Sequence, residues 1–202
     1  RAKVDAGLFG KGYWHNPTRA ERIVRSEDLG RIETRAAREA VHTVRDRAGL
    51  LPLSRTSRTL LVEQIAGPHL RANDAWCHPG MFWEELCRHT DHCSLLEVES
   101  DPTAEDAAKL DNYLDFYDTV IVTYYKDRHT LGTAPLVDKC LAAGKKVIVV
   151  AGNPLPYELP EAWPTVVACY GVMRPVLAVT ADLLFGKFKP KTKAAPYPWE
   201  AR

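Results

Sequence analysis

The chain has 202 residues, 46% of them hydrophobic and 26% charged, which is the length and composition of one soluble globular domain with a sizeable core. Its 27 lysines and arginines nearly cancel its 26 acids, so no net field steers it to nucleic acid or membrane. No run approaches the roughly 18 apolar residues that a membrane-spanning helix needs.

In chain order, the opening RAKVDAGLFGKGYW carries no charged-then-apolar leader and reads as the interior of something longer. SEDLGRIETRAAREAV predicts a helix whose apolar face is Ile32, Ala36 and Ala40. The alternation in AVHTVRDRAGLLPL predicts a short strand or hairpin, with a turn at Gly49. TLLVEQI (59–65) is an apolar run of strand length, followed by a loop holding Gly67, Pro68 and Asn73 and then by a helix from Pro79 to about His89. SLLEVE (94–99) is the next strand. Asp101 is placed to cap the following helix, with Pro102 in its first turn and Ala107, Leu110, Leu114 and Tyr117 on one face.

TVIVTYY (119–125) predicts a strand, TAPLVDKCLAAG a helix ending at Gly144, and the β-branched KVIVVAG (146–152) a strand covered on both faces. TVVACY (165–170) is a further strand. Pro175 opens a last helix, PVLAVTADLLFG, stopped at Gly186. The lysine- and proline-rich tail KFKPKTKAAPYPWEAR is expected to run along the surface.

Strands alternating with helices imply an α/β fold: a three-layer sandwich with a mostly parallel sheet of about five or six strands and helices on both faces. Ligands of such sheets bind outside the carboxyl ends of the strands. This makes 66–78, 126–132, 152–164 and 170–174 the loops of interest. IAGPH holds one glycine where a dinucleotide fingerprint needs three, and no nucleophile elbow is present. No cofactor is expected.

CHPGMFWEELCRHTDHC (77–93) looks like a metal motif but predicts none. The intervening helix separates Cys77 and His78 from His92 and Cys93 by about 15 Å, whereas zinc ligands lie about 2.0–2.3 Å from one ion. Within the helix Cys87 joins Trp83 and Leu86 on the apolar face, while His89 points away and can pair with Glu85 one turn back. Five cysteines without repeated spacing argue for reduced thiols rather than a disulfide framework.

Four segments, in order, resemble glycoside hydrolase family 3. RAKVDAGLF is similar to the last helix of that family's catalytic barrel, and REAVHTVRDRAGLLPL to the start of its second domain. VTYYKDRHTLGTAPLVDKCLAAGKKVIVVAGNPLPYEL follows the family's strand, helix, strand and N-P-Y-(D/E)-L succession, and ADLLFGKFKPKTKAAPYPW is similar to its end. Lys191 and Thr192 depart from the serine-glycine usual there. The resemblance implies a linker with N-terminal helices at 1–50, leading from a (β/α)8 barrel, and the family's C-terminal α/β domain at 51–202.

It also implies that the chemistry lies elsewhere. Retaining glycosidases need two carboxyl groups roughly 5 Å apart, and neither the family's K-H-F-P-G-H-G-type loop nor its aspartate nucleophile occurs here. Glucosidase members carry an acid/base glutamate on a long loop after the strand matching 119–125. Here that loop is only KDRHTLG, with Asp127 its sole carboxylate, and the shortness favours a β-N-acetylhexosaminidase-like parent. No catalytic residue is therefore assigned. The candidate sugar-facing residues are Lys126, Asp127, Arg128 and His129 on that loop, and Trp76 and His78 on another. A solvated turn is the competing reading of the first group and a packing anchor that of Trp76. The expected partner is the barrel, with carbohydrate a further candidate. The alternatives are a free-standing carbohydrate- or protein-binding module of the same fold and, by fold analogy alone, a flavodoxin-like ligand binder. The compartment, periplasmic, secreted or cytoplasmic, stays open.

Overall fold

The computed structural model describes residues 17–24, 26–65, 78–126, 132–153 and 159–190. Among these, the helices are α1 (Pro17–Val24), α2 (Glu27–Ala40), α3 (Met81–Cys87), α4 (Ala104–Leu114), α5 (Ala134–Ala142) and α6 (Arg174–Leu184). The strands are β1 (His42–Asp46), β2 (Thr59–Gln64), β3 (Cys93–Val98), β4 (Thr119–Tyr124), β5 (Lys146–Ala151) and β6 (Thr165–Ala168). They form one six-stranded sheet in the order β1-β6-β5-β4-β2-β3. All neighbours are parallel except β1, which pairs antiparallel with β6 at the edge. This is the expected three-layer α/β sandwich.

Period-two alternation sends each strand's residues to two separate cores. Leu61, Ile121, Ile148 and Val167 pack under α2, α3 and α6, together with Phe82, Leu86 and Leu184. Leu60, Val120, Val122, Val147 and Val149 pack under α4 and α5, against Leu110, Leu114, Leu136 and Val137. Each of these large apolar side chains removed from water contributes about 1.5–3 kcal/mol. In β5 every residue but Lys146 is buried, as its unbroken β-branched sequence predicts.

The helix ends follow from local chemistry. Ser26 caps α2 through an acceptor bond from Leu29 N–H at 3.3 Å, with Glu27 and Asp28 in the first turn. α5 and α6 both end in Schellman turns at glycines of positive φ. Gly144 (φ 71) donates to Leu141 O while Lys145 N–H reaches Cys140 O at 3.1 Å. Gly186 (φ 70) donates to Leu183 O while Lys187 N–H reaches Asp182 O at 2.8 Å.

Three local expectations are corrected. The cap of α4 is Thr103, not Asp101: Thr103 and Asp106 form a reciprocal capping box, which satisfies two helix-end donors at once. On α2 the buried residue is Ala37, on the side that packs against α6; Ile32 is 51% exposed and Ala36 is exposed. His89 does not pair with Glu85. It stacks on Phe185 (5.1 Å between centroids) with Nε2 3.4 Å from Asp182, a partner supplied by α6. No helix among the described residues is long and apolar enough to cross a membrane.

Candidate functional site at the carboxyl edge

The chain leaves β2 toward β3 and then crosses back over it to β4, so β2 has a neighbour on either side and the strand order reverses there. Such a switch point opens a crevice at the carboxyl ends. Here the crevice is about 60 Å³, bounded by the ends of β2, β4, β5 and β6, with Phe82, Val150, Val172 and Leu177 among its apolar walls and Glu63, Glu97 and His78 among its polar ones.

Glu63 is the chemically distinctive member. It lies in β2 with the parity of Leu61, on the α3 side of the sheet, and is only 8% exposed. Its Oε1 accepts the Phe82 N–H at 3.1 Å and its Oε2 the Trp83 N–H at 3.4 Å. It thus caps α3, whose own preceding residue, Gly80, supplies no side chain. Burial raises its pKa to about 7; the two amide bonds lower it, Glu97 raises it and His78 lowers it.

His78 is held by hydrogen bonds on both ring nitrogens. Nε2 lies 3.2 Å from Arg174 Nη2, and since a guanidinium can only donate, Nε2 accepts. Nδ1 then carries the proton, donated to Pro79 O at 2.9 Å. Arg174 continues to Glu84 at 2.5 Å and Glu85 at 2.7 Å, and the buried Glu85 also binds Arg88 at 2.8 Å. The network locks the start of α6 to α3.

Two further loops are tied at this edge. Gln64 donates to Ser100 O and Tyr125 O while accepting from Tyr125 N–H, joining the ends of β2, β3 and β4. Asn153 donates to Lys126 O at 2.9 Å, joining the loops after β5 and β4. Tyr170, after β6, has φ 58, a left-handed backbone that costs a non-glycine residue about 1 kcal/mol.

Of the residues singled out from the sequence, His78 lines the crevice and Lys126 stands on the loop leaving β4 at the same edge. Trp76, Asp127, Arg128 and His129 lie outside the described residues. Sequence reasoning passed over Glu63 and Glu97. The available signal was parity: Glu63 in TLLVEQI falls two residues after Leu61, which faces the α3 side, so it is not placed as an outward polar residue, while Glu97 in the edge strand SLLEVE shares that side but stays exposed.

Among the described residues no group of three His, Cys, Asp or Glu side chains is placed to hold a metal. Burial pushes the thiols of Cys93 and Cys140 up to about 12 and that of Cys169 to about 11, which keeps them protonated and poorly nucleophilic.

No family model matches the chain, and no curated protein matches it. Solved structures do. A glycoside hydrolase family 3 β-N-acetylglucosaminidase from Paenibacillus sp. str. FPU-7 superimposes with a TM-score of 0.67 at 18% identity, over 81% of this chain and 31% of that one. A β-glucosidase from Listeria innocua, in complex with isofagomine, gives 0.68 at 18% identity over 93% of this chain and 30% of that one. The β-glucoside phosphorylase BglX gives 0.62 at 18% identity over 99% and 38%. The chain thus spans between 30% and 38% of the length of these structures. At such identities the likeness is one of fold: this is a small α/β domain that structurally matches the C-terminal domain region of several family 3 glycosidases.

Proposed function

We propose that the chain is the C-terminal α/β domain of a family 3 glycoside hydrolase, carried behind a (β/α)8 barrel that supplies the nucleophile. Residues 1–50 lead in from the barrel and contribute β1 to the sheet, and 51–202 form the domain proper. The observation that carries the reading is the superposition of 81% to 99% of this chain on part of much longer glycoside-processing enzymes. The order of the sequence segments supports it. The parent would hydrolyse terminal β-N-acetylhexosaminides, with β-glucosides as the alternative. The short KDRHTLG segment after Tyr125, which leaves little room for an acid/base loop, favours the former.

In this reading the domain packs against the barrel, and its carboxyl edge forms one wall of the sugar site. Lys126, Asp127, Arg128, His129, Trp76 and His78 are the residues through which it would touch substrate. The test compares the parent polypeptide with this chain alone on nitrophenyl β-N-acetylglucosaminide and β-glucoside. The parent turns over the first faster, and the isolated chain turns over neither. Turnover by the isolated chain that survives further purification would overturn its non-catalytic role. Melting temperatures with millimolar N-acetylglucosamine and glucose separate the alternative: a sugar-dependent rise in the isolated chain is the mark of a free-standing binding module.

A further inference from the structure

The α2 helix turns an apolar row toward solvent. Ile32, Ala36 and Ala40 follow one another at fourfold spacing, the face that periodicity alone assigns to the interior. The structure instead buries Ala37, on the side that packs against α6, and leaves Ile32 and Ala36 exposed. Single exposed apolar side chains are ordinary, but a contiguous apolar surface is the usual sign of a contact. Here the row is contiguous with a groove of about 580 Å³, lined by Ala36 and Ala40 from α2, by Tyr170, Met173 and Val176 opposite, and by Met81. Tyr170 is 47% exposed and Met173 40%.

The wall opposite α2 is held in shape. The Tyr170 ring lies 5.7 Å from that of His42, and Arg174, next to Met173, is tied to α3 through Glu84 and Glu85. Glu33 and Arg174 add charge to the groove lining, which gives the mixture of apolar centre and polar surround found where protein surfaces meet. The position of the groove selects its occupant. β1 runs antiparallel to β6 with His42 opposite Ala168, so the end of α2 stands beside the carboxyl end of β6. The groove therefore opens at the carboxyl edge, where the proposed function places the sugar site. The chain covers only 30% to 38% of the matched structures. A barrel that brings its nucleophile to this edge stands over the groove.

We propose that the Ile32, Ala36 and Ala40 row of α2, together with Tyr170 and Met173, is the surface on which the parent's (β/α)8 barrel docks. The inference rests on the reading of the chain as a family 3 C-terminal domain. It deepens that reading by assigning the contact to α2 and the turn before α6, apart from the loops after β2 and β4 through which sugar would be touched. Apolar side chains of the barrel fill the groove and take Ile32, Ala36 and Met173 out of water, a gain that the isolated chain forgoes.

The chain's two methionines supply the probe. Met173 is 40% exposed and Met81 only 3%. Hydrogen peroxide transfers one oxygen to an accessible thioether, forming the sulfoxide and leaving water. Peptide mass spectrometry follows both residues in the isolated chain and in the parent polypeptide, and turnover of nitrophenyl glycosides is measured on the same parent preparation. Met173 is expected to oxidise faster than Met81 in the isolated chain, and in the parent to slow by about tenfold, because oxidation tracks exposure. Ala36→Asp in the parent, a change at an exposed position, is expected to restore the fast rate. An active parent whose Met173 oxidises as fast as in the isolated chain overturns the docking surface and leaves the glycosidase reading standing. A parent without a barrel or without turnover overturns that reading and the docking with it. Protection that survives Ala36→Asp overturns the assignment to α2. Slow oxidation of Met173 in the isolated chain also overturns the proposal: if independent of concentration, the chain fills its own groove, and if stronger at high concentration, a second copy does. If Ala36→Asp does not fold, the two unmodified polypeptides decide the matter without it.

Discussion

Glu85 shows how a charge can be buried in this protein at tolerable cost. It is 1% exposed, yet two guanidinium groups reach it, from Arg174 and Arg88. Both arginines keep part of their surface in water, so they escape most of the desolvation that a fully buried pair would suffer. Glu85→Ala is expected to cost about 2 kcal/mol, below the roughly 3–5 kcal/mol typical when a buried ion pair is broken, because the released guanidiniums rehydrate. Urea unfolding of the variant measures this; a cost above that range would mean that the network is drier than its exposure indicates. His89 presents the opposite case. Its ring sits between Phe185 and Asp182, and burial, followed by the charge of Lys187, lowers its pKa, with Asp182 only partly opposing. The fold therefore prefers the neutral ring. The stability this gives is present above the ordinary histidine value of about 6.5 and is lost as pH falls below it. His89→Phe keeps the stack and removes the titration, so its stability relative to the unmodified chain should rise on going from pH 7 to pH 5. A pH-independent difference would show that His89 does not titrate in that window.

Among the elements, the two Schellman turns form a natural comparison. Gly144 and Gly186 have φ values of 71 and 70, so alanine at either meets the same backbone penalty, about 1 kcal/mol. Their surroundings differ. A Cβ at Gly144 has nothing within 4 Å, whereas one at Gly186 would stand 2.9 Å from Pro52 Cβ. Gly186→Ala should therefore cost more than Gly144→Ala by about 1–3 kcal/mol, the usual penalty of forcing atoms into a packed contact. Equal losses would mean that the segment around Pro52 yields freely. That segment is where the chain returns to begin β2: Leu53 N–H binds Leu184 O at 2.7 Å, so the end of α6 and the approach to β2 are mutually supporting.

At the scale of the whole molecule, Glu63 and His89 pull stability in opposite directions with pH. One loses its contribution as pH rises and the other as pH falls, and they lie toward opposite ends of α3. The carboxyl edge is tied together by polar side chains, namely Gln64, Asn153, Arg174 and Glu63, while the body of the sandwich is sealed by aliphatic ones. Apolar contacts are non-directional and tolerate adjustment, whereas hydrogen-bonded ties hold only one geometry. An edge built from such ties suits a surface that must keep its shape against a partner domain or a sugar, and this is the role proposed for it.

Strand and helix identity were legible in the sequence because burial on two faces imposes periodicity that survives without any knowledge of neighbours. KVIVVAG could only be a central strand, and the face Ala107, Leu110, Leu114 was recovered on α4. Where the resembling segments are described, the resemblance was legible for the same reason, since they preserve β1, the succession β4, α5, β5 and the glycine-ended α6. Strand order was not, because a parallel strand reads alike wherever it stands in the sheet. Nor were the partners of charged residues. His89 finds Asp182 and Glu85 finds Arg174, each from an element roughly 90 positions away along the chain. Ala36 and Ala37 are equivalent as sequence, and only the way α2 packs against α6 selects the second. Glu63 is the clearest case: its residue type argues for water, its parity argues for the core, and the orphan amides of a short helix laid against β2 decide in favour of the core.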